Sequence, residues 1–278
     1  MTYRDILVHV DSTVAGNARL TLAIPLAQRF DARLTGIHVV PEPDVPRLYK
    51  PSVVERVAKN YAEMARDAAE TTEALFRDCV RNIKVATDYR RAEGDIAEHI
   101  QQAARFADLV VIGQSDTENP PGSSQFHLSE RVVVGCGAPV LVVPNQFAAQ
   151  EVGRSMLIGW DGSAVAARAI RDALPFLQHA RSVMMITVDP DRAGHVADGL
   201  CAPAMVAHLA RHGINVAAEE LPSRDRDVGK TLRSRAVDLH ADMIVMGAYG
   251  HMRLMEFIIG GTTSVVLKHM FIPALMSL

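Results

Sequence analysis

Glycines and threonines cluster near the C-terminus, directly after an apolar run at Met243 to Met246. Glycines leave backbone N–H groups uncovered, hydroxyls add further donors, and a helix N-terminus carries a partial positive charge. At the carboxyl end of a parallel strand, these groups together form a cradle for an anion. The pattern therefore predicts a site for a nucleotide or another phosphorylated small molecule. Its members are Gly247, Gly250, Gly260, Gly261, Thr262 and Thr263.

The spacing of these glycines excludes two common phosphate loops. No Gly-x-Gly-x-x-Gly follows the first apolar run, at Ile6 to Val10, which argues against a dinucleotide-binding Rossmann domain. No Gly-x-x-x-x-Gly-Lys-Ser/Thr occurs either, so the chain is not a P-loop ATPase. Glycine after a strand is often turn chemistry alone, and by themselves the glycines leave that interpretation open.

The chain contains an internal repeat, which supports the cradle. The segment ADLVVIGQSD, which starts at Ala107, recurs as ADMIVMGAYG from Ala241, 134 positions later. Near the start of each half, Asp11 and Asp161 follow an apolar run and lie 150 positions apart. Each half therefore predicts alternating strands and helices that end in a glycine turn, a helix and a last strand.

Short apolar runs alternate with helical patterns in both halves, which is typical of parallel strands buried on both faces. We expect an α/β fold of two tandem, open-twisted, parallel five-stranded sheets flanked by helices. The polar stretch Asn145 to Gly153 marks the boundary, so the predicted domains are residues 1–147 and 148–278. The predicted helices include Ala15 to Phe30, Val53 to Val80, Asp95 to Phe106, Val165 to Leu177 and Val228 to His240.

With these features, the chain resembles a tandem universal stress protein over nearly all of its length. Nucleotide-binding members of that family carry Gly-x2-Gly-x9-Gly-Ser/Thr, and Gly247, Gly250 and Gly260 match this motif in type and spacing. Gly261 stands where the family has Ser or Thr, so one of the two threonines after it would have to supply the hydroxyl. The resemblance implies an adenine-nucleotide α-hydrolase-like fold, with the two halves related by a pseudo-twofold axis.

The resemblance also assigns roles to residues outside the glycine loop. Asp161 matches the family's Asp near the adenine and ribose, and Val188 matches the residue that packs on the adenine. Trp160, Gly162 and Met246 flank these positions and complete the expected nucleotide site.

Two further residues follow Gly250 directly and would project beside the phosphates. Of His251 and Arg253, the arginine is the better candidate for a phosphate contact, because its planar guanidinium suits phosphate oxygens. The alternative is that Arg253 faces solvent, as exposed arginines usually do.

The first half departs from the motif. Gly113 is present, but Asp116 occupies the position of the second glycine and brings a negative charge toward the place where phosphates would lie. A carboxylate facing a triphosphate costs about 1 kcal/mol or more when it is partly desolvated. The next segment contains Pro120 and Pro121 and lacks the paired glycines. We expect a degenerate domain with a closed pocket and no nucleotide, in which Asp11 is a relic or a turn residue.

In the family, two domains associate through their last strands, which correspond here to Val140 to Val143 and Ala274 to Ser277. The resemblance implies that the two halves pair in this way within one chain. A homodimer of whole chains stays open.

Composition excludes several kinds of partner. The net charge is −3 and no basic patch of five or more residues occurs, so nucleic acid is not an expected partner. No apolar run approaches the ~20 residues needed to span a bilayer. The chain starts directly into a strand, without a signal peptide, so we expect no membrane association and a cytoplasmic location.

No metal site is expected. The three cysteines, Cys79, Cys136 and Cys201, are scattered and form no Cys-x-x-Cys. His208 and His212 lie four positions apart on a predicted helix and could chelate a metal, but the sequence shows no obvious third ligand. That pair therefore stays open.

Two functions remain. The first is a stress-response regulatory module that binds ATP, or ADP or AMP, with or without Mg²⁺, in its C-terminal domain and acts on unknown protein partners. The sequence shows no dedicated general base and no Walker-type carboxylate pair, so we expect at most a weak ATPase rather than an efficient enzyme. The alternative is a nucleotide-free structural or chaperone-like stress protein. An enzyme of the wider α-hydrolase-like group is a weaker third interpretation, because such enzymes usually carry additional catalytic domains.

Overall fold

The computed structural model describes residues 2–42, 51–115, 127–148, 151–189, 201–223, 227–248 and 261–278. Within these ranges, strands alternate with helices along the chain. The central strands are apolar and buried at nearly every position, as strands covered by helices on both faces must be. The α/β class predicted from the sequence is confirmed.

The elements of the two halves follow the same order. The first half comprises β1 (Asp5–His9), α1 (Val14–Phe30), β2 (Arg33–Val40), α2 (Pro51–Val80), β3 (Thr87–Glu93), α3 (Ile96–Ala104), β4 (Leu109–Gly113), α4 (Leu128–Gly135) and β5 (Val140–Val143). The second half comprises β6 (Ser155–Gly159), α5 (Ala164–Asp172), α6 (Leu174–Leu177), β7 (Ser182–Val188), α7 (Cys201–Arg211), β8 (Ala217–Leu221), α8 (Val228–Asp238), β9 (Met243–Gly247), α9 (Thr262–His269) and β10 (Ala274–Ser277).

The strands of both halves form one ten-stranded sheet in the order β3-β2-β1-β4-β5-β10-β9-β6-β7-β8. Within each half the described strands run parallel, and β10 pairs antiparallel with β5, with Leu275 opposite Leu141. The two predicted five-stranded sheets are therefore the two halves of a single sheet. Its outer strands, β3 and β8, carry charged side chains, which discourage further strand pairing at the edges.

The sheet separates two helical layers. In one layer, α1, α2, α5, α6 and α7 pack on the sheet through a core that includes Leu20, Phe76, Ile170, Phe176 and Leu209. In the other layer, α3, α4, α8 and α9 pack through Ile100, Val132, Leu232 and Val266.

An aromatic cluster lies between the two halves in the first layer. The ring centroids of Tyr3 and Phe30 lie 5.0 Å apart, and that of Phe176 lies 5.1 Å from Phe30 and 5.6 Å from Tyr3. The Tyr3 hydroxyl donates to the carbonyl of Asp172 at 2.5 Å. Because Tyr3 and Phe30 come from the first half and Phe176 from the second, the halves share apolar core as well as a sheet.

One predicted helix is divided. We predicted a single helix from Val165 to Leu177, but α5 ends at Asp172 and α6 starts at Leu174, with Ala173 between them. Pro175 explains the break, because proline lacks the N–H that a continuous helix needs and its ring crowds the carbonyl four residues earlier. In the first half, α1 contains Pro25 and nevertheless continues to Phe30. Proline at this position therefore does not always end the helix.

A contact between an aspartate side chain and the backbone recurs in both halves. The carboxylate of Asp108 accepts hydrogen bonds from the amides of Arg4 and Asp5 at 2.7 and 3.0 Å. Asp242, 134 positions later, accepts in the same way from the amides that lead into β6, including Ser155 at 3.0 Å. This local equivalence supports the repeat independently of the strand order.

Among the helices of the described residues, none combines the length and the apolar character needed to cross a bilayer.

Candidate functional site

The predicted nucleotide-binding residues that the structure describes in the second half lie around the carboxyl ends of its strands. β6 and β9 are neighbours, with Gly159 paired to Met246, so the loop of Asp161 and the end of β9 at Gly247 lie side by side. Strand order reverses between β6 and β9, because the chain goes from β6 to β7 on one side and later returns to β9 on the other. Open α/β sheets bind ligands at such a switch point.

Asp161 organises the turn between β6 and α5. Its Oδ1 accepts a hydrogen bond from the amide of Ser163 at 2.9 Å, and Gly162 between them has a φ of 78°, which favours glycine. The Ser163 hydroxyl then accepts from the amide of Ala166 at 3.1 Å and caps α5. Asp161 is half-buried at the sheet edge, next to the end of β9.

Gly247 is in close contact with the start of α5. A Cβ atom on this residue would lie 2.6 Å from the backbone nitrogen of Ala166 and 2.8 Å from the carbonyl carbon of Val165. No side chain fits between the strand end and the helix, so packing alone requires glycine here.

The third part of the site is the N-terminus of α9. Gly261 precedes the helix with a φ of 120°, a conformation for which glycine is suited, and a Cβ here would have no neighbour within 4 Å in the described part of the chain. It provides no side-chain cap to the helix. The first amides of a helix have no partner within the helix, and a helix N-terminus favours negative charge, so the start of α9 is a place where an anion can bind. Thr263 is 5 % exposed and Thr262 half-buried.

Trp160, Met246 and Val188 belong to the core around this edge. Trp160 is 7 % exposed and its amide donates to the carbonyl of Ile186 at 2.9 Å, but its buried indole Nε1 has no hydrogen-bond partner among the described residues. Met246 packs on the other face of the sheet, in the core beneath α8 and α9. Val188, the last residue of β7, is half-buried. The predicted positions Gly250, His251, Arg253 and Gly260 lie outside the described residues.

The first half has a different arrangement at the same place. Arg19, on α1, forms an ion pair with Asp11 and donates from Nε to the carbonyl of His9 at 3.1 Å. The arginine is only 4 % exposed. Its counterpart in the second half, 150 positions later, is Ala169, which has a single methyl group. An internal cation therefore pairs with the aspartate of the first half, whereas the equivalent helix position of the second half carries no charge.

Charge at this pair shifts two pKa values. Burial opposes ionisation of Asp11, but the Arg19 guanidinium and the hydrogen bonds from Thr13 outweigh it and lower the pKa of Asp11 to about 2. Burial and the same guanidinium lower the pKa of His9 to about 3, so His9 is neutral at physiological pH. Asp11 is thus the partner of Arg19 in a structural ion pair. We expected a relic or a simple turn residue, and neither description includes this ion pair.

Glu130 occupies the N-terminus of α4, the counterpart of α9. Its Oε2 accepts from the Ser115 hydroxyl at 2.6 Å and from the Ser129 hydroxyl at 3.0 Å. Burial raises the pKa of Glu130, but the hydrogen bonds from Ser115, its own amide and His127 outweigh burial and lower it. Ser264 stands at the equivalent position in the second half. The first half thus places its own carboxylate where an external anion would otherwise sit.

A cavity of about 590 Å³ lies at the carboxyl ends of β1 and β4, lined by described residues that include Asp11, Arg19 and Gly113, with Lys268 contributed by the second half. The expectation that this pocket is closed stays a prediction. This half differs from the second in two charged side chains, those of Arg19 and Glu130. Asp116, which we expected near the phosphate position, lies outside the described residues.

The two histidines considered for metal binding do contact each other. The rings of His208 and His212 on α7 have centroids 4.8 Å apart. Within the part of the chain that the structure describes, no group of three or more His, Cys, Asp and Glu side chains could hold a metal ion.

A model of the universal stress protein family matches residues 2–144 and, a second time, residues 153–277. The chain belongs to the universal stress protein family. Its two matches make it a tandem member, as the sequence predicted, and membership supports a role in the stress response. Universal stress protein Slr1230 of Synechocystis is 26 % identical over 180 residues, which cover 60 % of this chain. The match spans 57 % of the length of that curated relative.

Solved structures share the fold over the whole tandem. A universal stress protein from Archaeoglobus fulgidus superposes with a TM-score of 0.69 at 17 % identity, covering 98 % of this chain and 95 % of its own. A candidate universal stress protein from Pseudomonas aeruginosa reaches a TM-score of 0.62 at 17 % identity, covering 99 % and 93 %. At this identity the likeness concerns the fold alone. The family also includes a universal stress protein solved in complex with cAMP.

Sequence reasoning missed two charged residues at the strand ends of the first half of this tandem universal stress protein. Arg19 could have been found by aligning the two halves, because this charged residue aligns with Ala169 and lies on an otherwise apolar side of its helix. Glu130 gave no such signal, because acidic residues are common in the first turn of a helix and only the fold brings Ser115 to it.

Proposed function

We propose that this protein binds ATP or a related adenine nucleotide in its C-terminal half and acts as a regulatory module of the stress response. The difference between the N-termini of α9 and α4 carries the proposal. Neither helix has a side-chain N-cap, but the first turn of α4 carries the Glu130 carboxylate, whereas the first turn of α9 has Ser264 at that position. A helix N-terminus without its own carboxylate favours an external anion, and the phosphates of a nucleotide are such an anion.

The remaining contacts follow the family motif. The adenine and ribose would lie near Asp161 and Val188, at the ends of β6 and β7, and the phosphates near Gly247 and the start of α9. From the sequence, Gly250 and Gly260 would add backbone amides, and His251 and Arg253 would lie beside the phosphates, with or without Mg²⁺. No step of efficient hydrolysis is proposed, because the described part of this edge supplies no evident general base.

Nucleotide binding at this site would change how the protein interacts with its protein partners. The protein would be located in the cytoplasm. We also propose that the two halves remain joined through β5 and β10 in solution, since the sheet and the aromatic cluster around Tyr3 cross the same boundary. Residues 1–147 would then be the nucleotide-free domain and residues 148–278 the nucleotide-binding one. Association of whole chains into a dimer stays a prediction.

One observation favours the alternative, a nucleotide-free structural or chaperone-like protein. Gly247 is required by its contact with α5 whether or not a ligand binds, so this glycine alone does not argue for a cradle. The two functions therefore differ in whether the start of α9 takes up an anion.

Equilibrium dialysis of the intact protein against ATP, with and without Mg²⁺, tests the proposal. We expect saturable binding that Gly250→Asp abolishes, because this change copies Asp116 of the first half and places a carboxylate against the phosphates. Asn60→Asp adds the same charge on an exposed face of α2 and is the control, for which binding should be unchanged. Absence of binding by the wild-type protein at millimolar ATP would refute nucleotide binding and favour the alternative.

A further inference from the structure

Gln114 joins the first half to the helix that starts at the proposed cradle. It follows β4, and its Nε2 donates to the carbonyl of Leu267 at 2.7 Å and to that of Lys268 at 3.0 Å. Its Oε1 accepts from the amide of Asn145 at 3.2 Å. All three bonds agree with one orientation of the side-chain amide, with nitrogen toward α9 and oxygen toward the linker after β5.

The two carbonyls belong to the last turn of α9, where a helix leaves its carbonyls without internal partners. α9 has eight residues, which corresponds to about 12 Å, and the chain becomes extended directly after it, at Met270. Helices of this length are marginal without support from the rest of the protein. Gln114 therefore satisfies the C-terminal end of the same short helix whose N-terminal end forms part of the cradle.

This support is not reciprocal. Ala248 stands at the position of Gln114 in the second half, 134 positions later, and its methyl group makes no hydrogen bonds. A side chain of the first half thus holds α9, and the equivalent residue of the second half cannot hold α4 in the same way. The asymmetry has the direction expected if the first half supports the binding site of the second.

We propose that Gln114 is a positioning residue through which the first half sets the anion affinity of the second. By holding the C-terminal end of α9, it keeps the N-terminal end of this helix directed at the cradle. This inference rests on the proposed function for its effect on affinity, but the link between Gln114 and the order of α9 stands by itself.

Hydrogen exchange of the intact protein, read by mass spectrometry over residues 262–269, tests the link without any ligand. Gln114→Ala removes both bonds to α9, and the loss of two ordinary hydrogen bonds predicts about tenfold faster exchange there. Gln114→Lys should restore slow exchange, because an ammonium group can donate to the same carbonyls and suits a helix C-terminus. Gln146→Ala removes an exposed glutamine of the same loop region and should change nothing. Unchanged exchange in Gln114→Ala would overturn the link.

Binding of inorganic triphosphate and of ATP to the same variants tests the effect on affinity. We expect both affinities to fall about three- to tenfold in Gln114→Ala and to recover in Gln114→Lys, while Gln146→Ala matches the wild type. Faster exchange with unchanged affinity would overturn the positioning role. If the wild-type protein bound neither ligand, the proposed function would be wrong, and the exchange result would still decide whether Gln114 orders α9.

Discussion

Replacing Arg19 with methionine should leave the Asp11 carboxylate in the first half without a counterion. The change retains most of the side-chain volume and removes the guanidinium, which leaves the Asp11 carboxylate without its buried partner. Breaking a buried ion pair from one side costs about 3–5 kcal/mol, and Asp11, whose side chain is 18 % exposed, belongs at the lower end of that range. We therefore expect Arg19→Met to lower the free energy of unfolding by about 3 kcal/mol at pH 7.

The cost should depend on pH in a defined direction. Asp11 has a pKa of about 2 in the folded protein, against an ordinary value of 3.8, which corresponds to about 2 kcal/mol of stabilisation. Because the folded-state pKa is lowered, this stabilisation is fully present above pH 3.8 and is lost as the pH falls through about 2. The destabilisation by Arg19→Met should therefore be largest at pH 5 to 7 and shrink below pH 4.

Urea unfolding of four proteins provides the assay: wild type, Arg19→Met, Asp11→Asn and the double variant. A double-mutant cycle at pH 7 should give a coupling of about 2 kcal/mol, and pH effects common to all four proteins cancel in it. The double variant should be more stable than Arg19→Met alone, since it contains no unpaired carboxylate. A coupling below about 0.5 kcal/mol at pH 7, or a cost of Arg19→Met that stays constant down to pH 3, would refute the reasoning.

Three further substitutions separate packing from binding. Gly247→Ala places a Cβ 2.6 Å from the nitrogen of Ala166 and should destabilise the protein by about 1–3 kcal/mol in thermal or urea unfolding, whereas a cost near zero would mean that α5 moves aside freely. Gly261→Ala would meet no described atom within 4 Å, so its cost of about 1–3 kcal/mol should come from backbone strain at φ 120° and ψ 168°, a region that only glycine adopts readily; a cost near zero would show that the start of α9 changes conformation freely. Asp161→Ala should weaken binding of adenosine more than that of inorganic triphosphate in calorimetric titrations, and an equal loss for both would exclude the assigned contact with the nucleoside.

The sequence predicts much of the fold because the internal repeat and the pattern of apolar residues can both be recognised in the sequence itself. Apolar runs such as Leu109 to Ile112 identify the parallel strands without knowledge of their neighbours. The helix limits agree within a few residues, except where Pro175 separates α5 from α6. Pro25 at the matching position is tolerated within α1, so no local rule would have distinguished the two prolines.

The site is less predictable because its electrostatics depend on residues far apart in the chain. The glycine pattern predicts where an anion would bind, and that stays a prediction, but it does not indicate why Gly247 is glycine, which is the contact with Ala166. Glu130 and Gln114 have ordinary sequence surroundings. Their roles arise only when the fold brings Ser115 beside the one and α9 beside the other.

The number of nucleotides bound per chain tests the central claim most directly. Native mass spectrometry of the intact protein with ATP should show one bound nucleotide per chain, because the first turn of α4 carries the Glu130 carboxylate and that of α9 has Ser264 in its place. A stoichiometry of two would show that the internal charges of the first half do not exclude phosphates. A stoichiometry of zero at saturating ATP would show that the start of α9 is scaffold alone.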